Sequence, residues 1–225
     1  MTLAAEQDIE PIVSTFLEAL KNSEEHATPY RHWFVKNLFP EKTVDEIEAL
    51  TFPVPDLDGV SGKRELHNEL RHYFDQPNIH RVPVIRNISS ALQSSPFIHG
   101  LEAFFDINLT STYLRIEYAQ DNDGFWLQPH TDLGVKKLTV LIYMSGDEGH
   151  DTLGTDIFNA DKSWATRTPF EVNSALAFVP GDDTYHGFQK RTINGVRKSL
   201  ILNYVTDAWR DREQLAFPER PVGAS

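Results

Sequence analysis

His130 and Asp132 stand two residues apart in the stretch GFWLQPHTDLGV. Neutral imidazoles and carboxylates are the groups that hold divalent iron, manganese or zinc. The pair follows an aromatic, strand-like run, and Pro129 constrains the backbone just before it. In an extended chain residues i and i+2 project to the same side, so both side chains can meet one ion. Among nine histidines such a pair is weak evidence taken alone. His67 and Glu69 make the same pattern inside the charged run KRELHNELRHYF, which reads as a helix. Two residues apart on a helix point to different faces, so that pair reads as solvated surface.

A triad of two histidines and one carboxylate needs a third ligand from elsewhere in the chain and leaves positions open on the metal. His186, in PGDDTYHGF after the apolar run ALAFVP, is the best candidate. His150 competes, but its setting, GDEGHDTLG, reads as a flexible turn. Arg197 opens the apolar run of NGVRKSLILNYV. An arginine facing an apolar interior is costly unless a carboxylate answers it. By the two-residue period of a strand, Arg197, Ser199, Ile201 and Asn203 share one face. A small dicarboxylate held by a metal at one end is then gripped by Arg197 and Ser199 at the other, through paired charge-assisted hydrogen bonds. The plain alternative is an exposed arginine after an Asn-Gly turn. The ordered set His130, Asp132, His186, Arg197 weighs against it.

The elements that must carry these residues are legible in outline. Residues 5–21 read as an amphipathic helix, with Ile9, Ile12, Val13, Phe16, Leu17 and Leu20 at spacings of three and four. A second helix is expected over 43–51, where Thr43 and Glu46 form a capping-box pattern. Residues 52–62 read as loop, 63–74 as a charged helix, and 86–105 as one or two helices broken near Pro96. From about residue 107 the pattern turns to short β-forming runs, NLTSTYLRIEYAQ, KKLTVLIYM, SALAFVP and KSLILNYV, separated by Gly/Asp/Asn turns. Helices followed by strands predict an α+β fold whose β half closes into a barrel or a double-sheet jelly roll. The last residues, FPERPVGAS, read as a loose tail.

Composition removes other chemistries. The chain has 225 residues and no cysteine, which excludes zinc fingers, iron–sulfur clusters, thiol nucleophiles and disulfides. A net charge of −12 and a pI near 5.1 make nucleic acid an unfavoured partner. The N-terminus shows neither a basic signal region nor a membrane-length apolar run, so a cytoplasmic protein is expected, with no membrane partner.

Over residues 107–206 the ordered motif resembles the iron(II)- and 2-oxoglutarate-dependent dioxygenases, more narrowly the small members related to prolyl 4-hydroxylases. These have His-X-Asp, then a distal His, then a basic residue shortly beyond. LGTDIF at 153–158 is similar to their Gly-rich strand between the metal motifs, and PYRHWFVKNLFPEKTVDEI to their opening helix and strand. The resemblance implies one domain over 1–225. Its parts are a double-stranded β-helix (jelly-roll) core over 107–206, a mainly helical N-terminal support layer over 1–106, and a C-terminal helix or tail over 207–225. It implies Fe(II), 2-oxoglutarate and O2 as cofactors and co-substrates, with ascorbate as a supporting reductant. The reaction implied is hydroxylation of a small-molecule or peptidyl substrate with release of succinate and CO2. Metal ligands are His130, Asp132 and His186. Arg197, Ser199, Tyr143 and Tyr118 are the implied 2-oxoglutarate contacts. Thr139, which shares a strand face with Leu141 and Tyr143, joins Trp126, Asn203 and Arg64 as candidate substrate contacts. Phe125, Trp126 and Tyr185 read first as packing aromatics. The loop 54–65, with Lys63 and Arg64, reads first as surface and second as a lid meeting an anionic substrate. The carboxylate of Asp132 separates the chain from halogenating relatives, which carry Gly or Ala there. Two other functions fit parts of the pattern: a non-redox zinc hydrolase or lyase, which has no use for Arg197, and a non-enzymatic metal-binding jelly roll, which tolerates loss of Asp132.

Overall fold

The computed structural model describes residues 3–55, 62 and 71–223. The order is α1 (Leu3–Lys21), β1 (Glu24–His26), β2 (His32–Lys36), α2 (Glu41–Glu48), β3 (His72–Tyr73), α3 (Gln76–Arg81), α4 (Pro83–Leu92), α5 (Ser95–Phe105), then β4 (Tyr113–Asp121), β5 (Leu127–His130), β6 (Lys136–Tyr143), β7 (Asp156–Phe158), β8 (Trp164–Arg167), β9 (Ser174–Phe178), β10 (His186–Phe188) and β11 (Arg197–Val205). Strands form a large sheet, β1-β2-β9-β6-β11-β4-β3, and a small one, β5-β10-β7-β8. Each pairing is antiparallel.

The two faces of the large sheet do different work. One face packs on the helices: Leu114, Ile116 and Tyr118 of β4, Leu138, Val140 and Ile142 of β6, and Leu200, Leu202 and Tyr204 of β11 join a core with Phe16 of α1, Ile88 of α4 and Phe97 of α5. Phe16 sits fully buried between Phe39 and Phe97, ring centroids 5.7 and 5.0 Å away. Its loss to alanine costs about 3–5 kcal/mol. The alternate residues, period two, look toward the small sheet and line the site described below. Burial on both faces explains why LTVLIYM and SLILNYV read as nearly unbroken apolar runs.

Several local expectations are corrected. Helix α2 starts at Glu41 with Pro40 as its N-cap and no side-chain cap; Thr43 is buried inside the first turn rather than capping it. Pro83 and Pro96 both sit in first turns, so the break near Pro96 is the start of α5, where a missing N–H is harmless. The expected helix over 63–74 lies outside the described residues up to position 70, and its end is strand, β3. The N-terminal half is not only helical: β2 inserts beside β9, and its alternation of His32 and Phe34 with Trp33 and Val35 serves both faces. Residues 207–223 hold a single 3-10 turn, Arg212–Gln214, in place of a helix. The tail is docked, with Val222 exchanging backbone hydrogen bonds with Ser111 and Thr112, and Leu215 bridging Arg115. No helix among the described residues is long and apolar enough to cross a membrane.

Candidate metal centre

His130 and His186 are brought together by strand pairing. They lie directly opposite each other in β5–β10, with ring centroids 4.4 Å apart. Each ring is oriented by its own backbone. His130 Nδ1 lies 2.9 Å from Gln128 O, and His186 Nδ1 lies 3.0 Å from Thr184 O. A ring nitrogen facing a carbonyl carries the proton, which puts the lone pair on Nε2, the atom a metal takes. Asp132 follows β5. Its Oδ1 accepts from Lys136 Nζ at 2.7 Å and its Oδ2 from Thr139 Oγ1 at 2.6 Å, with both charged side chains 1% exposed. Asn203 Nδ2 donates to Thr139 Oγ1 at 2.9 Å, so a relay on β6 and β11 fixes the carboxylate. One ligand atom from each of His130, Asp132 and His186 lies within 4.8 Å of the others.

These three line a pocket between the sheets. Leu127, Phe125, Phe188, Leu141 and Ile201 form apolar walls, and Arg197 and Ser199 of β11 also line it. Arg197 donates from Nη1 to Asp121 Oδ2 at 2.6 Å and from Nε to Leu153 O at 2.9 Å. Rings of Phe188, Phe170 and Tyr143 surround its guanidinium at 4.8, 5.5 and 5.6 Å. The Ser199 Oγ is buried and has no hydrogen-bond partner among the described residues.

The other expected site residues fall in different places. Thr139 lines the pocket. Tyr143 is absent from the pocket's described lining, its hydroxyl shared with Thr155 and Thr168 at 2.8 and 2.6 Å. Asn203 is fully buried behind Thr139, so its part is to hold that hydroxyl. Tyr118 is turned away. On β4 the pocket takes Glu117, Ala119 and Asp121, and Tyr118, one residue out of phase, packs in the helical core against Phe52. Burial, with Glu48 adding to it, pushes the Tyr118 hydroxyl up to about 12. Trp126 packs against Gly62 and is absent from the pocket's described lining. Arg64 lies outside the described residues. His150 is not in a flexible turn; it is buried, with Ser145 Oγ at 3.1 Å and Asn194 O at 2.6 Å.

Sequence reasoning missed Arg71, Glu117, Asp121 and Lys136, all of which line the pocket. Strand β4 did carry a signal. Arg115, Glu117 and Asp121 alternate with Leu114, Ile116 and Tyr118, the mark of a charged inner face. Beneath the metal centre the small sheet is tied by Asp156, which is fully buried. It accepts from Arg167 Nε at 2.8 Å, Arg191 Nη1 at 2.7 Å and the Gln189 amide at 2.7 Å. Burial pushes its carboxyl up, but Arg191, the Gln189 amide and Arg167 outweigh this and hold it below the usual range.

Solved structures similar to the chain in fold include prolyl hydroxylases and a protein solved with 2-oxoglutarate. A prolyl-4-hydroxylase of Pseudomonas putida matches 89% of the chain and 94% of its own, at TM-score 0.55 and 13% identity. A prolyl hydroxylase of Trichoplax adhaerens, solved with a hypoxia-inducible-factor oxygen degradation domain peptide fragment, matches 92% of the chain and 94% of its own, at TM-score 0.56 and 13% identity. HygX of Streptomyces hygroscopicus, solved with nickel and 2-oxoglutarate, matches 80% of the chain and 84% of its own, at TM-score 0.50 and 12% identity. No protein-family model matches the chain, and no curated protein matches it in sequence. The chain thus resembles prolyl-hydroxylase-like 2-oxoglutarate oxygenases in fold, at an identity where likeness speaks to fold alone.

Proposed function

We propose that this chain is an iron(II)- and 2-oxoglutarate-dependent dioxygenase, one catalytic domain over residues 1–225 built on a double-stranded β-helix (jelly-roll) core. One observation carries the reading: two histidines and a carboxylate converge in a pocket that also holds a buried arginine and a serine hydroxyl with no hydrogen-bond partner among the described residues. The donor set fits divalent iron, because two neutral imidazoles and one carboxylate form the facial triad that leaves positions open.

His130, Asp132 and His186 would hold the ion, with Thr139 and Lys136 keeping the Asp132 carboxylate in place. Bound iron supplies dioxygen activation coupled to conversion of 2-oxoglutarate to succinate and CO2, and to oxidation of the substrate. Arg197 and Ser199 take the far carboxylate of 2-oxoglutarate, and this sets the depth of the acid relative to the ligands. Phe125, Leu127, Phe188 and Ile201 exclude water from the pocket. The substrate is a small molecule or a peptidyl side chain, and its oxidation is a hydroxylation.

The test is succinate release with Fe(II), 2-oxoglutarate, ascorbate and air across a panel of small molecules and peptides. Substrate-dependent succinate from the wild type, with none from Asp132→Ala, is the expected result. Equal succinate from both proteins overturns the reading.

A further inference from the structure

We propose that Arg71 is a second carboxylate-binding residue of this pocket. It would share the far carboxylate of 2-oxoglutarate with Arg197, and Asp121 would position both guanidinium groups. This rests on the reading of the pocket as a 2-oxoglutarate site.

Asp121 joins the two arginines. Its Oδ1 accepts from Arg71 Nη2 at 2.6 Å and its Oδ2 from Arg197 Nη1 at 2.6 Å. The three side chains are 1%, 5% and 8% exposed for Asp121, Arg71 and Arg197. A carboxylate shared in this way sets two planar forks side by side at one end of the pocket.

Strand register puts Arg71 beside the unpartnered serine. Tyr73 pairs with Glu117 and His72 with Tyr118, so Arg71 falls level with Ala119, and Ala119 pairs with Ser199. Arg71 spans from Asp121 to Glu117, with Nη2 on Asp121 Oδ1, Nη1 donating to Gln120 O at 3.2 Å and Nε 3.5 Å from Glu117 Oε1. Beyond that ion-pair contact its buried Nε makes no hydrogen bond among the described residues, and neither does Ser199 Oγ on the next-but-one strand. Arg197 has five N–H donors, of which Leu153 O and Asp121 take two. Unsatisfied buried donors cost free energy, a penalty that ligand oxygens would relieve.

The charges point the same way. Glu117 answers Arg115 at 2.7 Å and Arg71 at 3.5 Å, and Asp121 answers Arg71 and Arg197, each at 2.6 Å. Among the described residues at this end, three guanidinium groups meet two carboxylates, which leaves one positive charge. A ligand carboxylate cancels it. Burial opposes the charge on Arg71, but Asp121 and Glu117 outweigh burial and raise its pKa, so the group stays protonated.

The test compares two acids on the Co(II)-loaded full chain by calorimetry: 2-oxoglutarate, and 2-oxopentanoate, which lacks the far carboxylate. Cobalt affinity is measured alongside. The wild type should prefer 2-oxoglutarate. Arg71→Gln should lose about 30-fold or more in 2-oxoglutarate affinity, with 2-oxopentanoate and cobalt binding unchanged. Arg71→Lys, which keeps the charge without the fork, should show a smaller loss of the same selective kind, and it carries the test if Arg71→Gln does not fold. Wild-type 2-oxoglutarate affinity in the folded variants overturns the proposal, and so does an equal loss for both acids, the sign of general damage. If the wild type binds neither acid, the reading of the pocket falls and the proposal with it.

Discussion

His130 and His186 face each other across the β5–β10 pair, so sheet register, and not a loop, sets the distance between the two imidazoles. A strand pair is a rigid support, which suits ligands that must be held ready before the ion arrives.

Gly187, next to His186, tests this relationship. A Cβ there would meet Leu127 O at 2.7 Å and Gln128 O at 3.0 Å, both on the backbone of β5. Gly187→Ala should therefore wedge β5 from β10 and separate the histidines. We expect Co(II) affinity, followed by absorbance titration, to fall about tenfold or more, the scale of a disturbed ligand support. The clash should also lower stability by about 1–3 kcal/mol. Wild-type cobalt affinity in Gly187→Ala would show that register does not govern the site.

Thr139 donates to Asp132 and accepts from Asn203. Thr139→Val keeps the shape and removes both bonds, so metal affinity should drop about 10-fold. Thr139→Ser should restore it. A valine variant that binds metal as the wild type does would relegate Thr139 to packing.

For Arg197 the sensitive quantity is the requirement for 2-oxoglutarate. Arg197→Ala removes a buried, charge-paired anchor and should raise the 2-oxoglutarate KM about 30-fold or more, with cobalt binding retained. An unchanged requirement for the acid would remove Arg197 from the site.

Asp156 predicts the response to acid. Its folded pKa is lowered, so its contribution to stability is complete above the unfolded value of about 3.9 and is lost as pH falls through the folded value. Asp156→Asn leaves Arg167 and Arg191 without their buried partner, a cost of about 3–5 kcal/mol at pH 7. Denaturant midpoints of variant and wild type should differ most near neutrality and converge below about pH 4. A gap that stays constant down to pH 2 would rule out this role.

The sequence by itself determined the chemistry-bearing set and the alternation that exposes it. His-X-Asp after a strand-like run, an arginine opening an apolar strand, and the absence of cysteine are local or compositional facts; the burial of that arginine is the fold's. The helix over α1 and the strands β4, β6, β9 and β11 follow from periodicity for the same reason. What only the tertiary structure decided depends on pairing between distant segments. Local pattern favours His186 over His150 only by reading GDEGHDTLG as a turn; the fold commits His150 to Ser145 and Asn194 and seats His186 opposite His130. Local pattern could not tell that Tyr118 is one residue out of phase with the pocket, because on a sheet buried on both faces tyrosine reads equally well toward either side. The insertion of β2 beside β9, the docking of the C-terminal segment on Ser111 and Thr112, and the sharing of Asp121 by Arg71 and Arg197 join residues far apart in the chain. Strand spacing sets which face a side chain takes, but the choice of neighbouring strand and register is made by the packed whole.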